Sequence, residues 1–316
     1  MVRNELNPFQ LLPSEEGGLS QKNIDKLEAH YHDYDVETCM IYKKDCLIYT
    51  FEKNTNQMND LHKVNSVTKS ILSSLIGIAI DKGGISSIDQ PVTDFFEIKN
   101  GWKNGVDEIT IRHLLTMTSG IDARKWKQVI NTKDWATAIL SDQLQTNPGN
   151  KMIYSNSDSH LLSAILHKAT KMNPKDFANE YLFKPLNIRN FKWETAPNNL
   201  PVGGYGLFLS PLDIMKYAVL ILQNGTWEGQ KLISKSWIEE ATKSHVSTEK
   251  PNQSYAYHWW ISAPNSTNHS RFFYAAGRGG KFIFIQPEQQ LAVTFTADLS
   301  DKDSLLPYQW FFRYIL

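Results

Sequence analysis

The sequence predicts a mixed α/β (α+β) fold, with one antiparallel sheet flanked by helices and a mainly helical domain inserted between its two halves. Segments rich in β-branched and aromatic residues lie near the N-terminus and again in the C-terminal third. Between them, residues 85–200 carry mainly helical patterns. Strands at both ends with helices between them indicate one sheet assembled from both ends of the chain. We predict a sheet domain from residues 1–62 and 204–316 and a helical domain from residues 63–203.

Local start and stop signals define the individual elements. Ser20 and Thr110 precede helical patterns as N-cap residues do, and Gly83-Gly84 is a good helix end. Pro211 stands at the first position of a long helix, where no backbone N–H is needed. In chain order we predict a helix at residues 20–32, strands at 38–42 and 46–51, helices at 65–82, 111–115, 134–140, 157–170, 174–183, 210–224 and 236–243, strands at 257–262, 271–275, 282–286 and 292–297, and a closing aromatic helix at 304–314.

Composition narrows the classes of function. Lys plus Arg and Asp plus Glu are equal at 33 each, so no basic surface for nucleic acid is expected. The nine histidines show no His-Glu-x-x-His spacing, and two cysteines are too few for a disulfide framework or a thiolate metal site. We therefore expect no metal and no cofactor. A three-residue hairpin loop would place Cys46 opposite Tyr42 rather than Cys39, so we expect two unpaired thiols.

The chain shows no targeting or membrane signal. Residues 1–6 lack an apolar stretch and a small-residue cleavage site. The longest apolar run, the helix after Ser66, is interrupted by Ser73, Ser74 and Asp81 and is too short to span a bilayer. We expect a cytoplasmic protein without a membrane segment.

A candidate nucleophile and its base lie at the start of this apolar helix. Ser66 and Lys69 are three residues apart, so both side chains lie on one helix face. A serine is a weak nucleophile at its ordinary pKa and needs a base within hydrogen-bonding distance. A partly desolvated lysine holds its proton less tightly and can be that base. The unpaired N–H groups at a helix start also favour a developing anion.

The Ser-x-x-Lys pattern alone is weak, because about one or two copies arise by chance in a chain of this length. A second copy, Ser247 to Lys250, lies in a polar stretch and is interpreted as solvated surface. Ser66 is distinguished by its position at the start of a buried helix and by candidate partners downstream.

Two downstream motifs supply those partners. Tyr154 lies at a predicted loop-to-helix junction, where it either packs or exchanges protons, the latter if neighbouring cations lower its pKa. Asn156 carries a donor and an acceptor, suited to holding a lysine and a substrate carbonyl. Gly277 and Arg278 lie in a strand–glycine–strand pattern. This pattern forms a tight edge hairpin or, alternatively, offers a backbone N–H to a substrate oxyanion.

Taken in this order, the three motifs resemble the class C-like branch of the serine β-lactamase and penicillin-binding-protein superfamily. Residues 110–120, 148–156 and 206–216 support the likeness. The family's third motif is usually Lys-Thr-Gly or His-Thr/Ser-Gly, whereas this chain has Ala275-Ala276-Gly277. The Gly-x-Gly-Gly stretch that begins at Gly277 is similar to the branch of 6-aminohexanoate-dimer hydrolases and related esterases.

The resemblance implies a β-lactamase-like fold and a serine hydrolase that cleaves a small-molecule ester or amide through an acyl-enzyme. Ser66 would be the nucleophile, and Lys69 and Tyr154 together would move its proton. The oxyanion would lie between the backbone N–H groups of Ser66 and Arg278. In the family, the cation and the hydroxyl of the third motif bind the substrate carboxylate, and alanines replace both here. A β-lactamase or DD-peptidase is therefore an alternative that would bind this carboxylate through Arg278. A non-catalytic acylation sensor is the second alternative.

Overall fold

The computed structural model of the chain describes residues 8–97, 105–262 and 271–316. Within them, strands lie near the N-terminus and in the C-terminal third, as predicted. The strands are β1 (Gln10–Leu11), β2 (Val36–Lys43), β3 (Cys46–Glu52), β4 (His62–Lys63), β5 (Lys192–Trp193), β6 (Leu207–Leu209), β7 (Thr226–Trp227), β8 (Gln230–Lys231), β9 (Val246–Ser247), β10 (Gln253–Tyr255), β11 (Trp260–Ser262), β12 (Phe272–Gly277), β13 (Lys281–Gln286) and β14 (Leu291–Ala297).

One nine-stranded sheet unites both ends of the chain, in the order β1-β3-β2-β14-β13-β12-β11-β10-β9. The pairing of β2 with β14, which sets Cys39 opposite Phe295, joins the N-terminal strands to the C-terminal ones. All pairs in this sheet are antiparallel except β1 with β3. Strands β4, β6 and β5 form a small second sheet, and β7 pairs with β8. The prediction of a mixed fold with a sheet assembled from both ends is confirmed.

The helices occupy most of the middle of the chain, and their N-caps are largely the predicted ones. Ser20, Thr110 and Ser210 each accept a hydrogen bond from a backbone N–H of the helix that they precede. The helices are α1 (Gln21–Asp33), α2 (Val67–Asp81), α3 (Ile111–Leu115), α4 (Trp126–Val129), α5 (Trp135–Leu140), α6 (Asn156–Thr170), α7 (Pro174–Ala178), α8 (Pro211–Leu222), α9 (Lys235–Ala241) and α10 (Leu306–Trp310), with π-helical turns at Asn179–Phe183 and Phe311–Ile315.

The main sheet separates two hydrophobic cores. Successive side chains of a strand point to opposite faces. Accordingly, Ile283 and Ile285 of β13 join the core that contains α2 and α8. Phe282 and Phe284 join the core formed with α1 and α10. The sheet therefore carries α2 on one face and supports the C-terminal helix on the other.

The N-terminal hairpin differs from the prediction in its turn. Lys44 and Asp45 both have positive φ, and Lys43 pairs with Cys46, so the loop has two residues rather than three. Positive φ at both central positions gives a turn whose twist matches that of the strands. The predicted pairing of Cys46 with Tyr42 is therefore wrong, whereas both cysteines are free thiols as expected.

The predicted strand at residues 257–262 is only half present. His258 has a φ of 61°, which interrupts the extended backbone before β11. Gln253–Tyr255, which lie before the predicted strand, form β10, and β10 pairs with β11. The predicted domain boundaries stay a prediction, and residues 1–6, on which the expected lack of a leader rests, lie outside the described residues.

Candidate active site

Ser66 lies at the N-terminus of α2, directly after a left-handed residue. Asn65 has a φ of 48°, a conformation that asparagine tolerates better than most side chains, and this turns the chain from β4 into the helix. Ser66 is the N-cap residue, yet its side chain makes no capping hydrogen bond. Within the described residues, its backbone N–H has no protein acceptor. Both polar groups of Ser66 are therefore available for chemistry.

Lys69 is almost completely buried, with 1% of its surface exposed, one helical turn after Ser66. Its Nζ lies 2.7 Å from the Gly204 carbonyl oxygen, 2.8 Å from Asn156 Oδ1 and 3.3 Å from Ser66 Oγ. The two shorter bonds go to carbonyl oxygens, which only accept. A neutral amine has two N–H donors and one lone pair, so these bonds leave the lone pair for the Ser66 hydroxyl.

The surroundings of Lys69 favour this neutral form. Burial lowers the pKa of Lys69 to about 7, although the negative charge of Asp158 partly offsets that shift. A large fraction of the lysine is therefore neutral near pH 7. This is the desolvated lysine that the sequence predicts as the base.

Tyr154 packs on the other side of the lysine, with its ring centroid 4.9 Å from Lys69 Nζ. Its ring stacks on Trp260 and meets Tyr255 edge-on, at centroid distances of 5.6 and 6.2 Å. Although 39% of Tyr154 is exposed, the surrounding protein desolvates the phenol and raises its pKa to about 12, while an interaction with the Ser66 side chain lowers it. The predicted exchange of protons by Tyr154 requires neighbouring cations to lower its pKa, and this condition is not met. Tyr154 is therefore a neutral hydroxyl beside Ser66.

Asn156 and Gly204 hold the lysine in place. Asn156 is the first residue of α6, and its Oδ1 accepts from Lys69 as the sequence predicts. The other acceptor, the Gly204 carbonyl, was not among the predicted residues. A Cβ on Gly204 would lie 2.5 Å from Asn156 Oδ1, and one on Gly203 would lie 1.9 Å from the Ser159 carbonyl oxygen. Two adjacent glycines, Gly203 and Gly204, are the sequence signal that marks this close approach of the backbone to α6.

The hairpin between β12 and β13 brings Gly277 and Arg278 close to Ser66. A Cβ on Gly277 would lie 2.5 Å from the Val64 carbonyl oxygen, so only glycine fits there. The Arg278 carbonyl accepts from Asn65 Nδ2 at 2.7 Å, which places the hairpin beside Ser66. Within the described residues the Arg278 backbone N–H, like that of Ser66, has no protein acceptor. The Arg278 side chain is exposed and forms an ion pair with Asp301.

Two buried ionisable residues near Lys69 were missed by the sequence reasoning. Asp158 is fully buried in the first turn of α6, and one of its oxygens accepts from Ser119 Oγ at 2.9 Å. Burial raises the pKa of Asp158 to about 7. His258 Nδ1 lies 3.1 Å from the Lys69 carbonyl oxygen, and burial lowers the pKa of His258 to about 3, so the ring is neutral. No local sequence pattern marked either residue, because both reach the lysine only through the tertiary fold.

An open cleft of about 800 Å³ lies beside Tyr154. Two cations in its lining are paired with carboxylates: Arg124 with Asp122 at 2.7 Å and Lys151 with Glu249 at 3.5 Å. The second Ser-x-x-Lys copy lies along this cleft with its serine and lysine exposed, consistent with solvated surface.

The part of the chain that the structure describes holds neither a cluster of metal ligands nor a helix that could span a membrane. Within residues 8–97, 105–262 and 271–316, no three His, Cys, Asp or Glu side chains are grouped to hold a metal ion. In the same part of the chain, no helix combines the length and apolar character needed to cross a membrane.

Comparison with known proteins covers most of the chain. Residues 50–311 match the family model described as Beta-lactamase. Protein flp of Staphylococcus aureus (strain MW2) is 24% identical in an alignment of 268 residues that covers 76% of this chain and 53% of that protein. The 6-aminohexanoate-dimer hydrolase of Paenarthrobacter ureafaciens is 20% identical over 274 residues, covering 78% of this chain and 68% of the hydrolase. The match with protein flp thus spans about half of that relative's length.

Solved structures share the fold at low sequence identity. A class C beta lactamase from Rhodobacter sphaeroides superimposes with a TM-score of 0.71 at 16% identity. The superposition covers 94% of this chain and 100% of that one. This agreement establishes the arrangement of sheet and helices.

Proposed function

Because this chain belongs to the β-lactamase family, we propose that it is a serine hydrolase that cleaves a small-molecule ester or amide through an acyl-enzyme on Ser66. The observation that carries the proposal is the bonding of Lys69 Nζ. In the neutral amine, the two N–H groups donate in short bonds to carbonyl oxygens, and the lone pair is left for the Ser66 hydroxyl 3.3 Å away. A binding module has no need of a buried lysine aligned in this way, so the geometry favours catalysis over the acylation sensor.

In the proposed first step, neutral Lys69 takes the Ser66 hydroxyl proton while Ser66 Oγ attacks the substrate carbonyl carbon. The negative charge that develops on the carbonyl oxygen is stabilised by the backbone N–H groups of Ser66 and Arg278. Collapse of the tetrahedral intermediate breaks the ester or amide bond. The Lys69 proton passes to the leaving group, with the Tyr154 hydroxyl as the relay. The products are an acyl-Ser66 ester and a free alcohol or amine.

The second step repeats the same chemistry with water. Lys69, neutral again, takes a proton from a water molecule, whose oxygen attacks the acyl carbonyl. The oxyanion is held by the same two backbone N–H groups. Release of the carboxylic acid returns the proton to Ser66 Oγ. No cofactor enters either step.

The charges around the site support a substrate without a carboxylate. Ala275 and Ala276 provide neither a cation nor a hydroxyl on β12. The Arg278 guanidinium contacts the Asp301 carboxylate at 2.5 and 2.6 Å. Of the three cations that line the cleft, Arg124 and Lys151 are likewise ion-paired, and Lys250 has no ion pair among the described residues. The β-lactamase or DD-peptidase alternative requires a cation for the substrate carboxylate next to Ser66, where β12 and Arg278 offer none, so we place a neutral ester or amide ahead of it.

A substrate panel tests the proposed function. We expect steady-state hydrolysis of short p-nitrophenyl esters or of short neutral amides, and slow or no hydrolysis of nitrocefin, because the carboxylate of nitrocefin would lack a partner. Release of p-nitrophenol or amine and the absorbance change of nitrocefin are the readouts. Rapid nitrocefin turnover with no ester or amide hydrolysis would instead identify a β-lactamase. A single stoichiometric labelling event without turnover would identify a sensor.

The pH dependence of kcat/KM should show one ascending limb with its midpoint near pH 7. Lys69 must be neutral to accept the proton, and its pKa is lowered to about 7, so activity is lost as pH falls below that value. Tyr154, with a pKa raised to about 12, stays protonated and adds no descending limb near neutrality. Because the Asp158 charge raises the Lys69 pKa, Asp158→Asn should move the midpoint to lower pH. A profile that is flat, or falls with rising pH, between pH 6 and pH 8 would contradict Lys69 as the base.

A further inference from the structure

The three-residue hairpin that joins β12 to β13, Arg278 to Gly280, is tied to a segment that follows β14. The Gly279 N–H donates to Ser304 Oγ at 2.9 Å. The Gly279 carbonyl accepts from the Leu299 N–H at 3.2 Å. We refer to residues 299–304, which run between β14 and α10, as the 299–304 segment. It contacts both polar groups of the hairpin's central residue.

A second set of contacts acts on Arg278. Its Nε and Nη2 donate to the Asp301 carboxylate of the same segment at 2.5 and 2.6 Å. Its carbonyl accepts from Asn65 Nδ2 at 2.7 Å. Since Asn65 directly precedes Ser66, the hairpin is connected to the nucleophile on one side and to the 299–304 segment on the other.

These contacts fix the orientation of the peptide group that follows Arg278. The carbonyl of that group is held by Asn65 and its N–H is held by Ser304. A planar peptide bonded at both polar ends cannot rotate without breaking a hydrogen bond. This restricts the backbone of Arg278, whose own N–H has no acceptor within the described residues.

The 299–304 segment is itself anchored. Leu299 is 7% exposed and belongs to the core beneath α10. Ser300 Oγ donates to the Asp303 carboxylate at 2.6 Å, which closes a turn inside the segment. Trp310 and Phe311, at the end of α10, are buried in the same core. The segment therefore offers the hairpin a fixed support.

We propose that the 299–304 segment is a positioning element of the active site, and that Asp301 and Ser304 act through the hairpin to aim the Arg278 backbone N–H at the substrate oxyanion. In this role the Arg278 guanidinium tethers the hairpin to Asp301 and is not a ligand for a substrate carboxylate. The inference rests on the proposed function, because it names supports for the same site.

Loss of the contacts between the hairpin and the 299–304 segment should change the rate of the chemical step rather than the stability of the fold. The Arg278–Asp301 pair is exposed, with 75% and 68% of the two side chains accessible, and such pairs contribute little to global stability. An oxyanion donor, in contrast, acts on the charge that develops only in the transition state. Loosening the hairpin should therefore lower kcat and leave KM almost unchanged.

Four variants and a control test the proposal by steady-state hydrolysis of a p-nitrophenyl ester. We expect Asp301→Ala, Ser304→Ala and Arg278→Ala each to lower kcat about threefold to tenfold, less than the roughly 10²–10³-fold lost with a whole oxyanion donor. KM should stay within about twofold, since substrate contacts remain. The double variant Arg278→Ala/Asp301→Ala should be no slower than either single one, because both remove the same tether. Lys235→Ala, which removes an exposed ion pair on α9, should match wild type.

Hydrogen exchange by mass spectrometry provides a readout that does not depend on turnover. Peptides covering residues 277–281 should exchange faster in Asp301→Ala and Ser304→Ala than in wild type and Lys235→Ala. Unchanged exchange, or wild-type kcat in both variants, would overturn the proposal, as would an Arg278→Ala defect confined to KM. If Ser66→Ala is inactive on the ester while Asp301→Ala keeps the wild-type kcat, this inference alone fails. If Ser66→Ala is fully active, the proposed function fails.

Discussion

Ser66→Ala is expected to lower kcat for every ester or amide that the protein hydrolyses by about 10⁴–10⁶-fold, the range for loss of a serine nucleophile that acts with its base. The hydroxyl has no capping role in α2, so its removal costs the helix no capping hydrogen bond. Far-ultraviolet circular dichroism and the melting temperature should therefore match wild type. The measurement is burst and steady-state kinetics with a p-nitrophenyl ester.

The chain offers a matched control in its second Ser-x-x-Lys copy. Ser247 is exposed at the edge strand β9. Ser247→Ala should keep the wild-type kcat for the same ester, and any effect of its place along the cleft should appear in KM alone. Equal loss of activity in both variants, or retention in both, would show that Ser66 has no special role.

Lys69→Met is expected to lower kcat/KM by about 10²–10⁴-fold, the usual contribution of a positioned general base. Methionine is close to lysine in length and is apolar, so it fills the buried site without a charge. It leaves the Ser66 hydroxyl without a proton acceptor, and Tyr154 cannot replace the lysine because its pKa is raised to about 12. Lys235→Met, at an exposed position on α9, is the control and should keep wild-type activity.

The pH dependence of the free energy of unfolding of Lys69→Met tests whether the buried amine is neutral in the folded protein. In the unfolded chain Lys69 has its ordinary pKa of 10.5, whereas in the folded chain the pKa is about 7. Between these values the unfolded state binds a proton that the folded state does not, so the free energy of unfolding rises with pH by up to about 1.4 kcal/mol per unit. Lys69→Met should lose this slope between pH 7 and pH 10. An identical slope in both proteins would contradict a neutral buried lysine.

What the sequence predicts well is local in origin. The pairing of Ser66 with Lys69 follows from helix periodicity, and the position of Asn156 follows from a helix start that a nearby serine caps. The hairpin at Gly277 follows from a glycine cluster between two strand patterns, and the structure adds the close approach of Gly277 to the Val64 carbonyl. In each case the neighbouring residues carry the signal.

What the sequence does not predict depends on contacts between distant parts of the chain. The Gly204 carbonyl is 135 residues from Lys69, and its position depends on how the loop before β6 packs against α6. No local sequence pattern indicates that Asp158 or the 299–304 segment lies near the site. The direction of the Tyr154 pKa shift depends on desolvation by neighbouring rings, which no spacing of residues encodes.

The most direct test of the central claim is the mass of the protein during turnover. Wild type is mixed with a p-nitrophenyl ester, quenched with acid within the burst phase, and measured intact and after digestion. We predict a mass increase of one acyl group, located on the peptide that contains Ser66, and its disappearance as substrate is exhausted. Ser66→Ala should show no acylation. An acyl group on any other residue, or ester turnover in wild type without an acylated species under these conditions, would contradict the account.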